Sequence, residues 1–163
     1  MKKILIIGCS GSGKSYFAKR LSDKLDIKLF YMDQLFWRSD KTHITRDELR
    51  EKLASEVYGL DSFILDGNYS GTLEERINHS DTVFYFDLDL DFCISEIRSR
   101  KGTIREDLPW QEDDKSTEEL VEFVKNNSSA DRLLIYSLIN KYSNVNFIIF
   151  KSRDESDNYL SQL

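Results

Sequence analysis

Residues 8–15 read Gly-Cys-Ser-Gly-Ser-Gly-Lys-Ser and fit the phosphate-binding pattern G-x-x-x-x-G-K-[ST]. Glycines allow a turn so tight that successive backbone N–H groups converge on one point, which can hold an anion. The preceding residues 4–7, Ile-Leu-Ile-Ile, are typical of a buried strand, and Phe17, Leu21 and Leu25 then recur at helical spacing. Strand, glycine-rich loop and helix are the setting that this motif requires. The stretch therefore predicts a site for the phosphates of a nucleoside triphosphate.

The last two side chains of residues 8–15 carry the predicted chemistry. Lys14 is the expected catalytic cation because it can reach the β- and γ-phosphates, and the Ser15 hydroxyl is an expected Mg²⁺ ligand. A flexible Gly/Ser turn is the alternative, and the flanking strand and helix argue against it. Cys9 is interpreted as a filler position, with a redox-sensitive thiol as the alternative. The residues expected to contact the nucleotide are Gly8, Ser10, Gly11, Ser12, Gly13, Lys14, Ser15 and Tyr16.

Composition indicates one globular domain, expected to span residues 1–163. The chain is 40% hydrophobic and 32% charged, and it has no apolar run near the ~20 residues that a bilayer span needs. Its N-terminal apolar run is also shorter than the about 7–15 residues of a signal peptide, so we expect a cytoplasmic protein. The net charge of −6 gives no basic footprint, and direct nucleic-acid binding is not expected.

Five short apolar runs alternate with helical patterns along the chain. Such alternation predicts an α/β protein with a parallel sheet covered by helices on both faces. The predicted strands are residues 4–7, 28–31, 63–65, 83–86 and 147–150.

Three other segments have recognisable local signals. Residues 34–42 read as a loop, and residues 45–48, Thr-Arg-Asp-Glu, form a capping box for a helix that ends near Gly59. A long helical pattern late in the chain is interrupted at residues 126–129, Asn-Asn-Ser-Ser. We therefore expect a break in that helix.

Two aspartates follow predicted strands, at the sheet edge where ligands bind in open α/β folds. Asp66 ends the third strand and suits the Mg²⁺-organising carboxylate of a phosphate-loop enzyme, with a simple turn residue before Gly67 as the alternative. Asp33 follows the second strand and suits a catalytic base for an acceptor hydroxyl. A supporting role near Mg²⁺ and a solvated loop position are its alternatives.

A lid-like insertion is expected at about residues 101–115, which mix charges with the only proline and lack a helical pattern. Arg98 and Arg105 are predicted catalytic residues because arginines from a mobile segment can neutralise a moving phosphoryl group. Arg100 is expected to bind the nucleotide, and Arg132 is a further candidate. A solvated helix face is the alternative for each of these arginines.

Three strings together resemble a known family. Residues 6–15, 31–37 and 64–70 are similar to the adenylate-kinase-like family of DNA topology modulation proteins and, more widely, to nucleoside monophosphate kinases and shikimate-kinase-like enzymes. The resemblance implies the three-layer P-loop NTPase fold, with five parallel strands in the order 2-3-1-4-5 and a short lid. Relatives often carry an arginine at the position of Gly71, which this chain lacks.

Two functions of different classes follow from these residues. The first is an ATP- and Mg²⁺-dependent phosphotransferase that moves the γ-phosphoryl group to a nucleotide or small hydroxyl-bearing metabolite. The alternative is a nucleotide-binding regulatory switch that acts through a protein partner without turnover. Arginines that converge on the phosphates favour the first, since a switch does not need them. A third and weaker possibility is direct DNA contact, as the family name implies.

Overall fold

Five short strands form one parallel sheet in a computed structural model that describes all 163 residues. The order is β2-β3-β1-β4-β5, which confirms the expected three-layer arrangement with the first strand at the centre. Helical crossovers return the chain to the starting edge after each strand, as parallel pairing requires. The strands are β1 Lys3–Gly8, β2 Leu29–Tyr31, β3 Phe63–Asp66, β4 Thr82–Phe86 and β5 Asn146–Phe150.

Seven α-helices connect and cover the strands. The helix after residue 45 opens with the expected capping box, in which Thr45 Oγ1 accepts from the Glu48 N–H at 3.2 Å and the Glu48 carboxylate accepts from the Thr45 N–H at 2.7 Å. That helix continues as a π-helical turn over Ala54–Tyr58. The helices are α1 Lys14–Leu25, α2 Met32–Phe36, α3 Arg46–Leu53, α4 Ser70–Asn78, α5 Leu90–Ser99, α6 Asp114–Lys141 and α7 Arg153–Gln162.

The core lies on both faces of the sheet. Successive side chains of a strand point to opposite faces, so Leu5 and Ile7 join one apolar cluster while Ile4 and Ile6 join another. The first cluster is completed by α3, α4 and α6, and the second by α1 and α7. No helix is both long and apolar enough to cross a bilayer.

The prediction of a loop over residues 34–42 is wrong in its first part. Met32–Phe36 forms the short helix α2, because Met32 and Leu35 lie three residues apart and are both buried. Beyond it, Trp37 and His43 form an isolated antiparallel bridge. The chain between β2 and α3 is therefore a short helix followed by a tight return.

The expected break at residues 126–129 is also wrong, because α6 runs uninterrupted over Asp114–Lys141. Asn and Ser lower helix stability by less than about 0.7 kcal/mol per residue, which packing elsewhere on the helix offsets. Val121 and Val124 are buried before this stretch, and Ile135 and Leu138 are buried after it. Residues 100–113, between α5 and α6, contain no helix or strand and are called the lid segment below.

Candidate active site

The phosphate loop, residues 8–15, joins β1 to α1 and depends on glycine for its path. Gly11 and Gly13 have φ angles of 86° and 94°, in the left-handed region that favours glycine. A Cβ atom at Gly11 would also lie 2.2 Å from the Cys93 carbonyl oxygen of α5. Ser12 is buried within the loop and its hydroxyl has no hydrogen-bond partner. The motif thus has the close-packed backbone and free polar group expected of an anion cradle.

Lys14 and Ser15 form the first turn of α1, where the positive end of the helix adds to the charge of Lys14. Both side chains are half-buried, whereas Tyr16 beside them is 66% exposed and has the Arg20 guanidinium over its ring. The Lys14 and Ser15 side chains are therefore partly enclosed at the loop, while the Tyr16 ring lies at the surface.

Arg153, which begins α7, holds the phosphate loop from the side. Its guanidinium donates to the Gly11 carbonyl oxygen at 2.8 Å and to the Ser12 carbonyl oxygen at 3.3 Å. Glu96 of α5 pairs with the same guanidinium at 2.6 Å. Arg153 could not be predicted as a site residue from the sequence, since no short spacing relates it to residues 8–15.

Asp66 ends β3 beside the phosphate loop and is only 3% exposed. Burial raises the pKa of its carboxyl to about 6, although the charge of Lys14 and the hydroxyl of Ser15 offset part of this rise. Its Oδ1 atom has no hydrogen-bond partner. A buried carboxylate oxygen without a partner, close to a serine hydroxyl, is a donor set suited to Mg²⁺.

No three His, Cys, Asp or Glu side chains group as a metal-binding cluster. Mg²⁺ commonly takes only one or two carboxylates and completes its shell with water and substrate phosphates. Ser15 and Asp66 are therefore a sufficient protein contribution for a magnesium–nucleotide complex.

Asp33 lies in the first turn of α2, where it accepts a hydrogen bond from the Tyr69 hydroxyl at 2.6 Å. Burial raises the pKa of the Asp33 carboxyl, and the Tyr69 hydroxyl and the charge of Lys14 offset part of this rise. The structure thus brings Asp33, Asp66 and Lys14 to one edge of the sheet, as the positions of Asp33 and Asp66 after their strands predict. Tyr69 is a site residue that the sequence analysis missed.

The turn between β3 and α4, residues 67–69, contacts both halves of this site. Asn68 accepts from the Gly8 N–H at 3.3 Å and donates to the Asp131 carboxylate of α6 at 2.9 Å. Tyr69 holds Asp33 and adopts a φ of 31°, an uncommon value for a residue other than glycine. The turn therefore couples the start of the phosphate loop to the predicted base.

Two of the predicted arginines converge in the lid segment. Arg105 pairs with Asp107 and, at 3.0 Å, with Glu112, and the Arg100 guanidinium lies 3.6 Å from the same Glu112. Burial raises the pKa of the Asp107 carboxyl, but Arg105, Lys14 and Ser15 outweigh it and hold that pKa below its ordinary value. The lid segment thus places a carboxylate, with its arginine, next to the phosphate loop.

Two other predicted arginines pair with carboxylates outside the lid segment. Arg98 pairs with Glu118 at 3.1 Å on the exposed surface between α5 and α6. Arg132 pairs with Asp87, which follows β4, at 2.9 Å. The structure does not bring Arg98 to the phosphate loop, and its catalytic role stays a prediction.

Aromatic rings line the side of the site next to Asp33. Phe36 lies 5.1 Å from Tyr69, and Trp37 lies 5.3 Å from Trp110 of the lid segment, measured between ring centroids. The Arg46 side chain packs against Gly71, whose added Cβ atom would lie 3.1 Å from Arg46 Cδ. An arginine from α3 therefore occupies the space next to Gly71.

Comparison with solved structures supports the same architecture. No protein-family model and no curated relative matches the chain. Shikimate kinase from Bacteroides thetaiotaomicron matches with a TM-score of 0.57 and 16% identity over 98% of this chain and 94% of the other. Shikimate kinase from Acinetobacter baumannii, in complex with shikimate, matches with a TM-score of 0.56 and 13% identity over 99% of this chain and 92% of the other. A sugar kinase from Janibacter matches with a TM-score of 0.55 and 14% identity over 99% of this chain and 91% of the other.

These similarities show that the chain has the fold of P-loop kinases. The sequence identities are too low to indicate which substrate this chain uses, and none of the three names refers to DNA topology. The resemblance to DNA topology modulation proteins therefore stays a prediction from the sequence.

Proposed function

We propose that this protein is a phosphotransferase that moves the γ-phosphoryl group of ATP to a hydroxyl of a nucleotide or small metabolite. The observation that carries the proposal is the meeting of Lys14, Asp66 and Asp33 at one sheet edge, with Asp33 oriented by Tyr69 at 2.6 Å. The names of the neighbours, two shikimate kinases and a sugar kinase, support a small hydroxyl-bearing acceptor.

In this proposal, the phosphate loop and Lys14 bind the triphosphate, and Ser15 and Asp66 hold Mg²⁺. When bound, the ion neutralises charge that develops on the phosphate oxygens. Asp33 accepts the acceptor's hydroxyl proton while the acceptor oxygen bonds to the γ-phosphorus and the bond to the ADP oxygen breaks. Burial raises the pKa of Asp33, and a carboxylate with a raised pKa is a stronger base at neutral pH.

The lid arginines have a role that requires a change of partner. Arg100 and Arg105 are paired with Glu112 and Asp107 in this structure. A phosphoryl group with several negative oxygens is a stronger partner for a guanidinium than one carboxylate. We expect phosphate to replace these carboxylates when the nucleotide binds. That arrangement favours phosphoryl transfer over a regulatory switch, which would not need arginines at this place.

The test is an ADP-release assay of the whole chain with Mg²⁺ and ATP. Its acceptors are a panel of nucleosides, nucleoside monophosphates, sugars and other small alcohols. With an active acceptor, D33N is expected to reduce turnover by about 100-fold or more while ATP affinity changes less than threefold. K14A is expected to weaken ATP binding by about 100-fold.

D61N is the matched control for D33N, because Asp61 is exposed and lies away from the site. Tight ATP binding without turnover of any acceptor would overturn the proposal and leave the regulatory switch as the function. Unchanged ATP affinity in K14A would remove the phosphate loop itself from the proposal.

A further inference from the structure

Arg76 of α4 is the largest side chain that is completely buried in this protein. A guanidinium removed from water destabilises a fold unless its donors are paired. Burial lowers the pKa of Arg76 to about 10, which still leaves it charged at neutral pH. No Asp or Glu lies within salt-bridge distance of it, although 16 such pairs occur elsewhere in the chain.

The donors of Arg76 go instead to one short piece of backbone. Nη1 donates to the Gly67 carbonyl oxygen at 2.7 Å, and Nη2 donates to the carbonyl oxygens of Asn68 and, at 2.9 Å, Tyr69. Nε donates to the Thr72 hydroxyl at 3.2 Å. Three successive carbonyl groups of the β3–α4 turn therefore point at one cation, which fixes the path of that turn.

The same turn carries the contacts that organise the candidate site. Asn68 accepts from the Gly8 N–H of the phosphate loop, and Tyr69 donates to Asp33. Gly67 donates to the Ile6 carbonyl oxygen of β1 at 3.0 Å. The Tyr69 φ of 31° is strained for a side chain with a Cβ atom, and the hydrogen bond from Arg76 Nη2 to the Tyr69 carbonyl oxygen helps to hold it.

We propose that Arg76 is a positioning residue that sets the β3–α4 turn so that Tyr69 orients Asp33 and Asn68 holds the start of the phosphate loop. Arg76 touches neither of these side-chain contacts itself, and it acts through the backbone between them. The expected effect of Arg76 on catalytic turnover rests on the proposed function. Its expected effect on the path of residues 67–69 rests on geometry alone.

The main test compares R76K with wild type, because lysine keeps the charge but cannot donate to several carbonyl groups at once. We expect amide hydrogen exchange at residues 67–70 to rise about tenfold or more in R76K. We expect kcat to fall about tenfold or more while KM for ATP changes less than threefold, since a small misplacement of the base slows chemistry without removing the phosphate contacts.

I77V is the matched control. Ile77 is the next residue of α4 and is equally buried, and its truncation lowers stability by about 1 kcal/mol without touching the turn. Exchange at residues 67–70 and kcat in I77V are expected to stay within about twofold of wild type. T72V is the milder variant if R76K does not fold, because it removes one hydroxyl, which accepts from Arg76 Nε at 3.2 Å and donates to the Tyr69 carbonyl oxygen at 3.4 Å, and leaves the Nη donors of Arg76 in place. Its effects should have the same direction as those of R76K and a smaller size.

Two outcomes would overturn the inference. In the first, R76K, or T72V if R76K does not fold, shows no more exchange at residues 67–70 than I77V. In the second, exchange rises there but kcat equals that of I77V. If wild type phosphorylates no acceptor, the proposed function fails, and the exchange measurement alone decides whether Arg76 holds the turn.

Discussion

The phosphate loop and the lid segment meet at one site, yet they are held in place by different means. The loop is fixed by backbone packing, since Gly11 leaves no room for a Cβ atom against Cys93 and Arg153 bonds to two loop carbonyl groups. The lid segment is fixed by charge, through Arg100, Arg105, Asp107 and Glu112. Backbone packing gives one rigid geometry, whereas ion pairs can exchange partners. The phosphate loop is therefore the rigid part of the candidate site, and the lid segment is the part that can rearrange.

The largest expected effect is on stability and distinguishes Gly11 of the phosphate loop from Gly102 of the lid segment, which both have positive φ. G11A places a Cβ atom 2.2 Å from a backbone oxygen and should lower the free energy of unfolding by more than about 3 kcal/mol and abolish nucleotide binding. Gly102 in the lid segment has a φ of 75°, but no atom lies within 4 Å of an added Cβ. G102A is therefore expected to lower the free energy of unfolding by only about 1–2 kcal/mol. Urea unfolding and titration with a fluorescent nucleotide measure both. Equal losses in the two variants would contradict the comparison.

A smaller effect is expected from the buried carboxyl of Asp66, whose pKa is raised to about 6 in the fold and is about 3.9 when unfolded. The folded state therefore binds the extra proton between these values, so its stability falls as the pH rises from about 4 to 6. Above pH 6 the charged carboxylate lowers stability by about 3 kcal/mol.

D66N removes this charge. D66N and metal-free wild type should be about equally stable at about pH 4. At pH 8 the free energy of unfolding of D66N should be about 3 kcal/mol higher than that of wild type. Binding of the Mg²⁺–nucleotide complex should weaken in the same variant. D61N serves as the exposed control, and a D66N variant that is less stable than wild type at pH 8 would contradict the assignment.

The smallest effect is expected in the lid segment. Asp107 is 7% exposed and its carboxylate lies near Lys14, where nucleotide phosphates would repel it. D107N should raise nucleotide affinity about threefold, and added salt should change the gain little because a buried charge is screened less than an exposed one. Loss of one bond to Arg105 should lower stability by only about 1 kcal/mol. A lower affinity in D107N would instead indicate that Asp107 helps to hold the nucleotide.

The phosphate loop and the sheet could be predicted because their signals are local. Residues 8–15 carry a fixed spacing, each strand is an unbroken apolar run, and Thr45 and Glu48 cap a helix three residues apart. Local signals failed where tertiary packing decides. The polar stretch at residues 126–129 stays helical because apolar residues on both sides bury α6 against the sheet and α5.

The positions of Asp33 and Asp66 after their strands also predicted where they lie, but the contacts that hold the candidate site together could not be predicted, because they join residues far apart in the chain. Tyr69 meets Asp33 across 36 residues, and Asn68 meets Gly8 across 60. One signal for Arg76 was present, since Leu73 and Ile77 place it on the apolar face of α4. A charged residue on such a face indicates a buried polar partner nearby, although spacing cannot name that partner.

The bond between Arg153 and Gly11 spans 142 residues. During synthesis the N-terminal glycine-rich loop leaves the ribosome long before Arg153 does, and domains fold as units once their parts are available. A nascent chain that has not yet reached residue 153 therefore carries the phosphate loop without the guanidinium that bonds to two of its carbonyl groups.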